Sequence, residues 1–209
     1  MESALSDGAD TPGLRLIETL GWTGQDLPRL PLHLARLAAS AARLGWPCDR
    51  DLATRSLMGA TGAAPARLRL TLDQRGAITV QSAPMPETGA EWTLTLSPHR
   101  LRSDDPWLGL KSTRRATYDQ TRATLPPGVD EAIFQNERGE VCDGTITTMF
   151  FDRGQGMRTP PLTCGLLPGV LRAELALPEE ALAARDLPHV RLWVGNSLRG
   201  LIPCHFILA

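Results

Sequence analysis

The chain has 209 residues, 42% of them hydrophobic, and its 22 basic and 23 acidic side chains leave a net charge of -1. That length accommodates one large domain or two small ones around an ordinary core, and the charge balance supplies no field that would gather a polyanion, so nucleic-acid binding is disfavoured. No stretch of about 18 uncharged apolar residues occurs and the N-terminus has no basic region followed by an apolar one, so a soluble cytoplasmic protein without a membrane segment is expected.

Residues 1–13, rich in Gly and Asp, read as a flexible tail. Leu14–Leu20 reads as a strand. Pro31 then suits the first turn of a helix on which Leu30, Leu34, Leu37, Ala41 and Leu44 recur at helical spacing, stopped by Gly45 and Pro47. A shorter helix is predicted from Asp51 to Met58. Arg67–Leu72 alternates with period two, turns at Asp73-Gln74-Arg75-Gly76 and returns through Ile78 and Val80. Trp92, Leu94 and Leu96 alternate again, and the polar run Ser97–Pro106 has the composition of a connection between halves. The expected division is a small N-terminal α+β domain over 14–100 and a larger C-terminal domain over 107–209.

The second half opens at Lys111, with a helix predicted from Ser112 to about Ala123 and ended by Pro126-Pro127-Gly128. Asp130–Asn136 reads as a strand, Glu137–Glu140 as a hairpin turn and Ile146–Phe151 as another strand. Pro168 and Gly169 suit the entry to a helix reaching Glu174 or Leu175, a second helical piece is predicted over Pro178–Ala184, and Val190–Val194 and Leu201-Ile202 close the chain as strands. Hairpins followed by helices, without strict βαβ alternation, indicate an α+β fold. Cys48, Cys142, Cys164 and Cys204 form no CxxC pair, which suits reduced, inert thiols better than disulfides or a zinc site, and no metal is expected.

Of the 22 basic residues one, Lys111, is lysine; the rest are arginine. An arginine stays protonated, whereas a lysine amine can lose its proton and form a Schiff base with an aldehyde, so the retained amine marks a candidate for covalent chemistry; codon drift in an arginine-rich chain is the competing explanation. If Lys111 occupies the first turn of the predicted helix, the macrodipole and the nearby Arg114 and Arg115 press its pKa down, and Tyr118 shares its face.

The segments Glu18-Thr19, His33-Leu34-Ala35-Arg36-Leu37, Leu110–Ala116 with its Lys-x-x-Arg-Arg-Ala pattern, Asp130-Glu131-Ala132, Gly139–Thr145 and Leu166–Arg172 resemble, in order and spacing, those of the class IV pyridoxal-phosphate enzymes. The resemblance runs from about Leu16 to Pro203. It implies two lobes with the cofactor cleft between them, pyridoxal 5'-phosphate as cofactor, a small-molecule amino substrate and a homodimer. Lys111 would hold the cofactor by a Schiff base and then move the proton at the reacting carbon. Arg36, the N–H groups of Val170 and Leu171, and the side chains of Asn196 and Ser197 would bind the cofactor phosphate, and Asp143 would pair with the pyridine nitrogen. The family commonly has glutamate where this chain has Asp143, asparagine where it has Thr148 and a hydroxyl residue where it has Leu171. Arg115, Arg199 and Arg100 are candidates for substrate carboxylates.

Within the family, the Lys-x-x-Arg-Arg-Ala stretch and Asn196-Ser197-Leu198-Arg199-Gly200 most resemble the 4-amino-4-deoxychorismate lyases. A lyase forming 4-aminobenzoate and pyruvate is therefore the first expectation. An aminotransferase for branched-chain or D-amino acids is the alternative, and a degenerate, non-catalytic member the second alternative.

Overall fold

Alternation of Leu68, Leu70 and Leu72 with Arg67, Arg69 and Thr71 sends one set of side chains to each face of a strand. In the computed structural model, which describes residues 5 and 8–208, all three leucines are fully buried. This strand, β2 (Ala66–Leu72), is the centre of a three-stranded antiparallel sheet, between β1 (Leu16–Trp22) and β3 (Ile78–Pro84). Leu16 lies opposite Leu72 and Leu20 opposite Leu68. A one-residue slip would turn every one of these leucines outward, so burial fixes the register.

Helix α1 (Leu30–Leu44) packs against β1. Its buried residues, His33, Leu34, Leu37, Ser40, Ala41 and Leu44, recur at three- and four-residue intervals, and each leucine taken out of water contributes about 1.5–3 kcal/mol. Helix α2 (Arg50–Gly59) is capped by Asp49, whose Oδ1 accepts from the N–H groups of Asp51 and Leu52, both at 2.9 Å, a cap worth about 1 kcal/mol. Far along the chain Ser112 bridges to Leu16, so Leu110–Arg114 returns to this first unit, which otherwise spans Met1–Glu87.

The second unit comprises Thr88–Gly109 and Arg115–Ala209 and is built on a closed barrel. Its strands, in barrel order, are β4 (Trp92–Leu101), β5 (Glu131–Asn136), β6 (Val141–Gly144), β7 (Thr148–Asp152), β8 (Arg191–Asn196) and β9 (Gly200–Phe206). β4 runs parallel to both β5 and β9, and the latter pairing closes the barrel; the remaining neighbours are antiparallel. Leu94, Ile133, Val141, Met149, Phe151, Leu192, Val194 and Ile202 form its buried core. Helices α3 (Ala116–Ala123) and α4 (Val170–Leu175) complete this unit's regular structure, with short 3-10 turns among the connections.

Several sequence expectations are corrected here. Ser97–Leu101 is not a connection but the end of β4, because Pro98 falls in the register shift between Leu96 and Arg100, where no ladder hydrogen bond is asked of it. The boundary therefore lies near Glu87 rather than after residue 100, and Trp92–Leu96 belongs to the barrel. The helix expected from Ser112 begins at Ala116, since the Thr113 N–H donates to the Arg15 carbonyl at 2.9 Å and ties that segment to the start of β1. Pro178–Ala184 is not helical: Glu179 bridges to Thr159 and Ala183 to Glu140. In the N-terminal stretch, Leu5 and Ala9 are buried rather than loose; residues 1–4 and 6–7 lie outside the described residues.

Candidate active site

In the first unit the sequence brings three polar side chains into an apolar setting. Glu18, in the middle of β1, is 2% exposed, and His33 and Arg36, three residues apart on one face of α1, both reach it. Arg36 donates through Nε to Glu18 Oε1 at 2.8 Å and through Nη2 to Oε2 at 2.6 Å, and His33 Nδ1 lies 2.6 Å from the same Oε2. An ionised carboxylate only accepts, so Nδ1 carries the ring proton and Nε2 is left as an acceptor. Nε2 is buried and has no hydrogen-bond partner among the described residues. Burial alone would raise the Glu18 pKa, but the Arg36 charge and the bonds from His33 and Arg36 hold it below the ordinary carboxylate value. Burial pushes His33 down, so the ring is neutral at pH 7.

Lys111 belongs to the same unit. Its carbonyl accepts from the Ile17 N–H at 2.8 Å, which ties the lysine backbone beside Glu18 in the neighbouring strand, and its charge adds to the forces keeping His33 neutral. Lys111 thus lies outside any helix, next to the isolated bridge between Ser112 and Leu16; α3 starts at Ala116, so neither the macrodipole argument nor a shared helical face with Tyr118 applies. The structure brings Lys111 and Arg36 together through β1. Glu18 and His33, whose identities stood in the sequence as motif positions, acquire their roles only from that packing.

In the second unit Asp143 lies near the end of β6, 6% exposed. Its Oδ2 accepts from the Leu167 N–H at 3.2 Å and its Oδ1 from the Tyr118 hydroxyl at 3.4 Å. Tyr118 packs on Phe134 with ring centroids 4.8 Å apart, and burial followed by the Asp143 charge holds its hydroxyl far above the ordinary pKa, as a permanent donor. Asp143 pairs across the sheet with Thr148, and Thr148 with Gly195. Gly169, which precedes α4, lies so close to that threonine that a Cβ there would meet Thr148 Oγ1 at 2.5 Å; a Cβ on Gly195 would meet Leu171 Cδ2 at 2.7 Å. Val170 and Leu171 open α4 just beyond, and first-turn N–H groups have no intrahelical partner. Asn196 gives one amide hydrogen to the Ile146 carbonyl at 3.2 Å and accepts from the N–H groups of Leu198 and Arg199, both at 3.0 Å, which shapes the turn carrying Ser197.

The three candidate arginines take separate positions. Arg115 donates to the Thr145 carbonyl at 2.9 Å and stands 5.7 Å from the Tyr118 ring, one residue contact from Asp143. Arg199 lies 5.6 Å over the Trp92 ring, and Arg100 donates to the Asn136 carbonyl at 3.0 Å. The cysteines are free; Cys142 and Cys164 are buried, and burial pushes the Cys164 thiol up to about 12, as it does Cys204. Among the described residues no helix is long and apolar enough to cross a membrane.

Comparison with known proteins agrees with this architecture. A curated relative from Schizosaccharomyces pombe, provisionally named an aminodeoxychorismate lyase, is 32% identical over 168 residues, 77% of this chain and 72% of its own. A crystal structure from Mesorhizobium loti, provisionally named an amino-acid aminotransferase, superposes with a TM-score of 0.88 at 42% identity, covering 93% of this chain and all of that one. A hypothetical aminotransferase from Mycobacterium tuberculosis, solved with alpha-ketoglutarate and PMP bound, shares the fold at 24% identity, with a TM-score of 0.81 and coverage of 96% and 83%. The family described as Amino-transferase class IV, whose enzymes bind pyridoxal phosphate, matches residues 15–207. With its small antiparallel sheet and mixed six-stranded barrel, the chain belongs to the class IV aminotransferases, the fold type IV pyridoxal-phosphate enzymes.

Proposed function

We propose that this protein is a pyridoxal-phosphate-dependent lyase that converts 4-amino-4-deoxychorismate to 4-aminobenzoate and pyruvate, with Lys111 as its catalytic residue. The observation that carries the covalent chemistry is the single lysine of the chain tied beside the Glu18–His33–Arg36 cluster. The choice of lyase is supported by the Schizosaccharomyces pombe relative and by the Asn196–Gly200 segment.

The donor set fits the cofactor. Lys111 offers an amine for its aldehyde. Arg36 is oriented by Glu18 through one edge of its fork, and its guanidinium carries further N–H groups suited to a phosphate. Asp143 is a buried carboxylate held by two donors, matched to a protonated ring nitrogen. The glycine before α4 keeps side-chain bulk away from the N–H groups of Val170 and Leu171. When bound, the cofactor supplies an electron sink for the charge left on the substrate carbon that loses its proton.

The Lys111 amine, unprotonated, would take that proton from the substrate carbon. In the first unit Arg36 would offer donors to a phosphate; in the second unit the α4 N–H groups, Asn196 and Ser197 would do the same, and Asp143 would pair with the ring nitrogen. Arg115, beside Tyr118, is the first candidate for a substrate carboxylate, followed by Arg199 and Arg100. A lyase needs one substrate and gains driving force from aromatisation, so positioned groups suffice without a second half-reaction. We infer also that the chain pairs as a two-fold homodimer, measurable by light scattering.

The second reading, an aminotransferase, is favoured by the 42% identical Mesorhizobium loti structure. Purified protein given pyridoxal 5'-phosphate should turn yellow; borohydride should fix the cofactor on Lys111, and Lys111→Ala should abolish the colour. Release of 4-aminobenzoate without any keto acid supports the lyase. Strict dependence on 2-oxoglutarate supports transamination instead, and protein that stays colourless overturns both.

A further inference from the structure

Glu18 and His33 form a buried polar pair that the reaction above does not use, beyond the grip of Glu18 on Arg36. Both His33 and Arg36 bond the same carboxylate oxygen, Oε2 of Glu18, at 2.6 Å each, so the imidazole and the guanidinium lie side by side on one anion. Glu18 fixes the proton on Nδ1, which leaves Nε2 the one position of the ring that can take another. That nitrogen belongs to a residue 1% exposed and has no hydrogen-bond partner among the described residues. A buried acceptor in this state is costly to leave unmade.

We propose that His33 is a proton-linked partner of the anion anchor at Arg36: when a dianionic phosphoester engages the guanidinium, Nε2 of His33 takes up a proton. This rests on the reading of Arg36 as a phosphate anchor. The charged groups facing His33 are Glu18 from β1, Arg36 from its own helix and Lys111 from the returning segment 110–114. Without an anion, burial is the largest influence and, with the Arg36 and Lys111 charges pressing the same way, it outweighs the bond and the charge of Glu18, so the ring stays neutral. A dianion reverses that balance, and charges a few ångströms apart in a partly buried site shift a pKa by a unit or more. The bound-state pKa is raised above the free-state one. Binding therefore takes up a proton between the two values, affinity falls as pH rises through that window by up to tenfold per unit, and below the free-state pKa it is flat.

Sulfate tests this, because it is a dianion throughout the range from about pH 5 to 8 in which a histidine titrates, so any proton taken up goes to the protein. Calorimetry of sulfate binding to the intact chain in two buffers of different ionisation heat should give close to one proton per sulfate within the window. His33→Asn places an amide nitrogen where Nδ1 stands, keeps the bond to Glu18 and deletes Nε2; it should still bind sulfate, with the pH dependence gone. Proton uptake near zero in the natural chain, or the same pH slope in His33→Asn, overturns the proposal, and the first of these needs no variant to fold. Sulfate that fails to bind, or that binds unchanged to Arg36→Met, overturns the Arg36 anchor itself, a different failure.

Discussion

Replacing Glu131 with glutamine should destabilise the second unit far more than a change of one atom suggests. Glu131 opens β5 with no exposed surface. Its carboxylate gathers the turn between β6 and β7: Oε1 accepts from the Thr145 N–H at 2.9 Å and from the Thr145 hydroxyl, and Oε2 accepts from the Ile146 N–H at 3.2 Å and the Thr147 hydroxyl at 2.8 Å. Relaxation is hindered, since a Cβ on Gly144 would lie only 2.8 Å from this carboxylate. If the glutamine oxygen stays toward Thr145, its NH2 meets Thr147, whose hydroxyl can rotate to accept, and the Ile146 N–H, which cannot. One stranded buried donor costs about 1–3 kcal/mol, and losing charge assistance on the three remaining bonds to Oε1, from the Thr145 N–H and hydroxyl and from the Ala132 N–H at 3.1 Å, costs about 1 kcal/mol each. Arg122, 3.5 Å from Oε1 and 37% exposed, adds little. The total is about 4–6 kcal/mol, or a fall in Tm of roughly 8–24 °C for a chain of this size. Thermal unfolding followed by circular dichroism measures it. A Tm within about 2 °C of the natural protein would refute the assignment of Glu131 as the clamp of that turn.

Three further outcomes are expected. Gly169→Ala drives a Cβ to 2.5 Å from Thr148 Oγ1, so overpacking of about 1–3 kcal/mol and at least tenfold weaker pyridoxal 5'-phosphate binding should follow; unchanged affinity by cofactor titration would show that the close approach is irrelevant. The Ser103 hydroxyl and N–H hold the Glu137 carboxyl down to about 2; because this is below its unfolded value of about 4.3, the stabilisation is full above that pH and lost as pH falls toward 2, so Glu137→Gln should flatten that limb of a Tm-against-pH curve, and an unaltered limb counts against it. Thr148→Asn and Leu171→Thr, which both meet Gly195, should couple by about 0.5–3 kcal/mol in a double-mutant cycle of urea unfolding, whereas additivity would make them independent.

Helix α1 was legible in the sequence because Pro31, the leucine spacing and Gly45 all act locally, and β1 and β2 because their alternation is set by one buried face. Lys111 and Arg36 stood out in the sequence as candidates, one by its rarity and the other by its place in a motif, and the structure adds the contacts each makes. What escaped is non-local. The return of Leu110–Arg114 to pair with β1 leaves no periodicity, so Lys111 read as a helix start. Val141–Gly144 is too short to display alternation, and every residue of it is buried. Pro98 signalled a break, yet the register shift in β4 absorbs it. Glu18 joined His33 and Arg36 only when β1 met α1, and the close approach of Gly169 to Thr148 brings the entry of α4 onto β7, which no window of sequence displays.

The three departures from the family pattern bear on whether the chain retains its chemistry. Asp143, Thr148 and Leu171 are scattered in sequence but meet around the barrel wall: Asp143 pairs with Thr148, Thr148 with Gly195, and Leu171 of α4 packs against Gly195. Drift in an idle site would strand polar groups, since nothing would select for their partners. Here the shorter carboxylate keeps a backbone and a tyrosine donor, and the threonine hydroxyl occupies the space that Gly169 leaves open. The changes therefore behave as one repacked surface rather than as independent losses. Composition points the same way. In a chain that uses arginine for the rest of its 22 basic side chains, an ammonium with no task would be as free to become a guanidinium as the others, and under the proposed function it stands at the position where only an amine could act.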